Sequence, residues 1–151
     1  MTAAEPRPRD EPSHEELVRH LVRCMEQADM VIEAADAPDH PKPSQTKASG
    51  LRRRRARPDV VAKDGRRTVF GEAVTGTEVG DARVPDQLET LARSCRMLVI
   101  CIPEEAADDA IETLFLERHL PHWHKMRVLR YPAEGWQELP KAAGRKGPRR
   151  P

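Results

Sequence analysis

The chain has almost no net charge to spend on a partner: 26 basic and 25 acidic residues leave a formal charge of +1. No global field therefore selects or repels a polyanion, and any such argument must rest on local clusters. Long apolar runs are missing too. None approaches the roughly 18 residues that a membrane span requires. The opening "MTAAEPRPRDEPSHEE" carries charges and prolines where a secretory leader needs an apolar core. The expectation is a cytoplasmic protein with no membrane partner. Cysteine is sparse and unpaired in pattern: Cys24, Cys95 and Cys101 are odd in number, form no CxxC pair, and each falls inside an apolar pattern. They read as small buried thiols in a reducing compartment. A glycine-rich phosphate loop is also absent, which ranks last a doubly wound domain that would use the ends of "MLVICIP" as a ligand crevice.

What is present reads as one folded unit, since 151 residues suffice for a single core. Residues 1–12 and 133–151 lack the apolar residues to order themselves, leaving a domain over 13–132 with a mobile loop at 36–50. Ser13 and Glu16 form a capping-box pair, and an apolar stripe through Leu17, Leu21, Met25, Met30, Val31 and Ala34 predicts a helix running to about Ala35. "PDVVAKDGRRTVFGEAV" holds two β-rich segments around Asp64-Gly65, the signature of a hairpin closed by a type I′ turn. A helix over Pro85–Arg96, a doubly covered strand over Met97–Ile102, a helix over Glu104–Leu120 and a strand in "KMRVLRYP" follow. The order predicts an α/β fold, a mixed sheet flanked by helices.

Two carboxylates carry the chemistry. With Asp64-Gly65 as the turn, Lys63 pairs with Arg66, Val61 with Thr68 and Asp59 with Phe70. Asp59 and Glu72 then share a face of adjacent strands, with Cβ atoms roughly 7 Å apart, near enough to reach one cation between them. Two oxygen ligands plus water suit Mg²⁺ or Mn²⁺, which polarise a phosphodiester and acidify an attacking water. Arg52, Arg53, Arg54, Arg55 and Arg57 lie directly before Asp59, where a bound phosphate backbone would pass the metal. In "ERHLPHWH", His119, His122 and His124 sit close together, but no nearby cysteine or acid completes a zinc set. His119 is read as a favourable charge at a helix C-terminus and Trp123 as a core-closing residue.

"RPDVVA" and "GEAVTG", with an amphipathic helix before them and "VPDQLETLARS" after, resemble the PD-(D/E)xK superfamily of restriction-endonuclease-like and Holliday-junction-resolvase-like nucleases over about Leu17–Tyr131. The resemblance implies a restriction-endonuclease-like fold, with Asp59, Glu72 and the Ala73 carbonyl as ligands of Mg²⁺ or Mn²⁺. It also implies Gln87 as an auxiliary that touches substrate or site water. The implied partner is DNA, with RNA left open, and resolvase-like members extend the implication to a homodimer. Two features depart from the family. No segment between Ala35 and Pro58 reads as the sheet's leading strand, and the motif lysine is replaced by Val74. A valine neither holds a proton nor stabilises developing charge. The reading is therefore a nuclease-family domain with impaired hydrolysis unless another group does the lysine's work, or else a nucleic-acid-binding or structural module on the same fold.

Overall fold

The computed structural model of the chain describes residues 11–44, 46–47 and 55–141. Its first helix, α1 (His14–Gln27), starts where the capping box requires: the Glu16 N–H donates to Ser13 Oγ at 3.1 Å and the Ser13 N–H to Glu16 Oε1 at 2.8 Å. It stops well before Ala35. Asp29 adopts a left-handed φ of 68°, its N–H reaches the Glu26 carbonyl at 2.9 Å, and the Met30 N–H reaches the Met25 carbonyl at 3.0 Å. That pair of bonds is a Schellman closure with aspartate where glycine is usual. The apolar periodicity through Met30, Val31 and Ala34 does not mark a helix face: the next element is a strand, in which Val31 is exposed.

That strand, β1 (Val31–Ala35), corrects both the length of the first helix and the expectation of no leading strand. Two short strands follow inside and beyond the predicted loop, β2 (Thr46–Lys47) and β3 (Arg55–Ala56), paired antiparallel. The hairpin β4 (Val60–Asp64) and β5 (Arg67–Ala73) comes next, then α2 (Arg83–Arg93), β6 (Met97–Pro103), α3 (Glu104–Ala110), β7 (Met126–Tyr131) and β8 (Trp136–Glu138). The third helix is shorter than predicted, because Ile111–Leu116 winds as a π-helix. The main sheet has six strands in the order β1-β4-β5-β6-β7-β8. β5, β6 and β7 run parallel, and the outer pairings are antiparallel. β6 is buried along nearly its whole length, as its unbroken apolar run requires.

Residues after Ala133 were expected to lack order, yet β8 pairs with β7 and Leu139 is buried in the core. Two apolar residues sufficed there, because a strand edge was available to receive them.

α1 covers one face of the sheet, burying Leu17, Leu21 and Met25 completely. Each such side chain contributes about 1.5–3 kcal/mol of transfer free energy. α2 and the third helix cover the other face around Leu88, Leu91 and Phe115. α1 lies close over Gly71: a Cβ there would lie 3.1 Å from Val60 Cβ, 3.2 Å from Met25 Cε and 3.3 Å from Leu21 Cδ1.

The hairpin register differs from the expected one. Val60 faces Gly71, Val61 faces Phe70 and Lys63 faces Thr68, so the two-residue loop is Gly65-Arg66. Positive φ occurs at Gly65 (67°) and not at Arg66, whereas a type I′ turn needs it at both. The pairing has moved by one residue on each strand together, which preserves the faces. A slip on one strand alone would have turned Glu72 away.

Candidate metal centre

The carboxylates gather where β1 and β5 end and β4 begins. Asp59 immediately precedes β4, its N–H bonded to the Gly71 carbonyl at 2.9 Å and its carbonyl accepting from the Asp36 N–H at 2.8 Å. Its side chain is nearly buried, and Oδ2 accepts the Ala73 N–H at 2.9 Å. The structure thus brings Ala73 to Asp59 through its amide. Asp36 arrives by way of a β-bulge: pairing of β1 with β4 runs Ile32 to Ala62 and then Ala34 to Val61, leaving Glu33 unpaired. The extra residue shifts the register and carries Asp36 to Asp59.

His14, the first residue of α1, closes the cluster with Nε2 at 3.1 Å from Asp59 Oδ2. One ligand atom each from His14, Asp36 and Asp59 lies within 4.8 Å of the others, so the three could hold a metal ion. Among the described residues no other group of three histidine, cysteine or acidic side chains converges in this way.

Glu72 lies against Asp59, and its Oε1 is buried without a hydrogen-bond partner. Burial, and then the neighbouring Asp59 charge, push the Glu72 carboxyl well above the usual carboxylate range. The His14 imidazole is pushed up by its bond to Asp59, against the opposing effect of burial. An unpaired buried oxygen beside a second carboxylate is costly unless a proton or a cation satisfies it. Imidazole and carboxylate are both donors that could hold a metal ion.

The other residues singled out in the sequence are dispersed. Val74 is buried with Phe70, Val79 and Val84 in the core beneath α2. Lys63 bonds Thr68 Oγ1 at 3.0 Å, toward the turn end of the hairpin and away from Glu72. A lysine not singled out above, Lys42, lies at the cluster: its Nζ is 3.3 Å from Asp36 Oδ1. Gln87 is exposed on α2, and the structure pairs it with neither carboxylate. Arg57 is exposed beside Asp59, the backbone of Arg55 belongs to β3, and Arg52, Arg53 and Arg54 lie outside the described residues. Of the histidine group, His122 bonds the buried Glu89 through both Nδ1 and its backbone N–H. His119 takes a left-handed φ of 51°, its N–H bonded to the Phe115 carbonyl at 3.1 Å.

Sequence reasoning missed His14 and Asp36. No local spacing marks either one: His14 sits inside a capping signal, and Asp36 follows a segment whose periodicity imitates a helix. No protein-family model, curated protein or solved structure matches the chain. No described helix is long and apolar enough to cross a membrane.

Proposed function

We propose that the chain is a divalent-metal-dependent phosphodiesterase of nuclease type acting on DNA, built on a restriction-endonuclease-like arrangement of its α/β sheet. The observation that carries this reading is the convergence of His14, Asp36 and Asp59 within 4.8 Å, with the unpartnered Oε1 of Glu72 beside Asp59. The resemblance to PD-(D/E)xK nucleases supports it at the level of elements. A strand at Val31–Ala35, an acid before the hairpin, an acid near its end and a helix after it occur in the order that the family implies.

His14, Asp36 and Asp59 would hold the ion, with Glu72 as a further oxygen donor once its proton leaves. When bound, Mn²⁺ or Mg²⁺ supplies charge neutralisation at a phosphate and a water of lowered pKa. Asp59 is aimed by the Ala73 N–H, so its carboxylate does not need to reorganise. Burial and Asp59 favour the protonated form of the Glu72 carboxyl, which would give its proton to solvent on binding a cation. Lys42, drawn to the cluster by Asp36, is the cation placed to do the work of the lysine that Val74 replaces. The exposed Arg57 offers a guanidinium to the phosphate backbone next to Asp59.

The test pairs Mn²⁺ titration calorimetry with cleavage of labelled linear and four-way-junction DNA, comparing the full chain with its Glu72→Ala and Lys42→Ala variants. Mn²⁺ binding and cleavage that both vanish in Glu72→Ala support the reading, and loss of cleavage alone in Lys42→Ala assigns the lysine's role. Mn²⁺ binding without cleavage of any substrate reduces the protein to a metal-holding nucleic-acid-binding module. Absence of Mn²⁺ binding overturns the proposal.

A further inference from the structure

The other end of the parallel strands carries a second feature, distinct from the carboxylate cluster. A cleft of about 410 Å³ opens where β5, β6 and β7 begin, lined by Arg67, Arg96, Lys125, Arg127, His124 and Asp64. Its apolar lining is Val69 and Met97. Five residues of strand separate Arg67 from Glu72, roughly 16 Å, so Arg67 does not belong to the carboxylate cluster.

The four cations are held in two ways. Lys125 Nζ donates to the Ala92 carbonyl at 2.9 Å and to the Cys95 carbonyl at 3.0 Å, both at the C-terminal end of α2. These bonds orient the ammonium without neutralising it and leave its third N–H free. Arg127 Nη1 donates to the His124 and Met126 carbonyls, each at 3.0 Å, and the nearest acid to its Nη2 is the exposed Glu138 at 3.9 Å. Arg67 and Arg96 are exposed, and no described residue pairs with either guanidinium. The Arg96 N–H bonds the Thr68 carbonyl at 2.7 Å, which ties the two arginines' segments together. Asp64 is the one acid in the lining. Even with the exposed Glu138 counted beside Asp64, the cations outnumber the carboxylates by two, and donors drawn from the starts of three strands are spread over more than one phosphate group.

We propose that this cleft binds a ligand carrying a diphosphate group. Lys125 and Arg127 are the preorganised anchors, and Arg67 and Arg96 close over the anion from the rim. The volume lies within the range of about 300–1,000 Å³ typical of small-ligand pockets. It exceeds what a diphosphate alone fills, and Val69 and Met97 offer the remainder of a ligand an apolar wall. The inference stands independently of the metal centre.

The experiment is calorimetric titration of the full chain with inorganic pyrophosphate, and separately with ADP, at low salt in chelator. Three proteins are compared: the unmodified chain, the Arg67→Gln/Arg96→Gln double variant and Glu72→Gln. Both arginine side chains are exposed, so an unchanged melting temperature in the double variant shows that its fold is intact. Pyrophosphate binding that weakens at least about tenfold in the double variant and is unaltered in Glu72→Gln supports the site. ADP binding tighter than pyrophosphate identifies a nucleotide as the source of the diphosphate, and equal or weaker binding identifies pyrophosphate itself. No binding by the unmodified chain at millimolar pyrophosphate overturns the proposal. So does equal binding by the double variant, which would put the anion on another basic segment. Displacement of pyrophosphate by a short DNA duplex that depends on the same arginines would overturn it as well, making the cleft a nucleic-acid contact.

Discussion

Asp59 is the residue on which the candidate metal centre turns, because its carboxylate meets an amide, an imidazole and a second carboxylate at once. Replacing it by asparagine keeps the shape and removes the charge. Asp59→Asn is expected to weaken Mn²⁺ binding at least about 100-fold by calorimetry, with a cooperative melting transition retained in chelator, since the asparagine oxygen can still accept the Ala73 N–H. The titrations of His14 and Glu72 give a second expectation. Both groups hold their protons more tightly in the fold than in the unfolded chain. The folded state therefore binds more protons, and stability contributed at low pH is lost as pH rises from about 5 through the folded-state titrations. Melting temperature measured in EDTA should fall over that range. Glu72→Gln should flatten the slope, and Mn²⁺ should restore stability most at the higher pH. A melting temperature that rises over the same range in EDTA would contradict the assignment of both groups.

At the scale of elements, the centre depends on how closely α1 is laid on the hairpin. Gly71 sets that distance, since a methyl group there meets Val60, Met25 and Leu21 at 3.1–3.3 Å. Gly71→Ala should cost about 1–3 kcal/mol in chemical denaturation. It should also weaken Mn²⁺ binding, because α1 carries His14 on its first turn; unaltered Mn²⁺ affinity would show that His14 is no ligand. Ser13→Ala removes the helix cap and should cost about 1 kcal/mol. The elements also show which signals were readable. The capping box, the doubly covered β6 and the amphipathic α2 depend on residues near one another in sequence, and each formed close to where its pattern indicated, α2 lying over Arg83–Arg93 and not Pro85–Arg96. β1 was hidden because Asp29 ends α1 in a left-handed conformation that aspartate adopts less readily than glycine, and neither glycine nor proline marks the stop.

For the whole molecule, the sheet determines which stretches of chain are ordered. Leu139 lies where composition alone suggests a basic tail, yet it is buried as part of the apolar core that also holds Leu114 and Leu120. Leu139→Ala should cost about 2–3 kcal/mol in denaturant unfolding. A change below about 0.5 kcal/mol would mean that β8 adds little to the fold. The molecule also keeps its two polar features apart. Asp36, Asp59 and Glu72 gather at the C-terminal end of β5, while Arg67, Arg96, Lys125 and Arg127 surround the N-terminal ends of the parallel strands. Near-zero net charge thus conceals a segregation of charge by position.

By itself the sequence determined the helix start at Ser13, the burial of β6, the hairpin and the shared face of Asp59 and Glu72, because each follows from contacts within a few residues or from strand alternation. Only the tertiary structure decided the rest. The bulge at Glu33 brings Asp36 across to Asp59, the packing of α1 over Gly71 delivers His14, and a free strand edge recruits Trp136–Glu138. Those outcomes depend on residues far apart in the chain meeting in space, and no local periodicity or spacing encodes such a meeting.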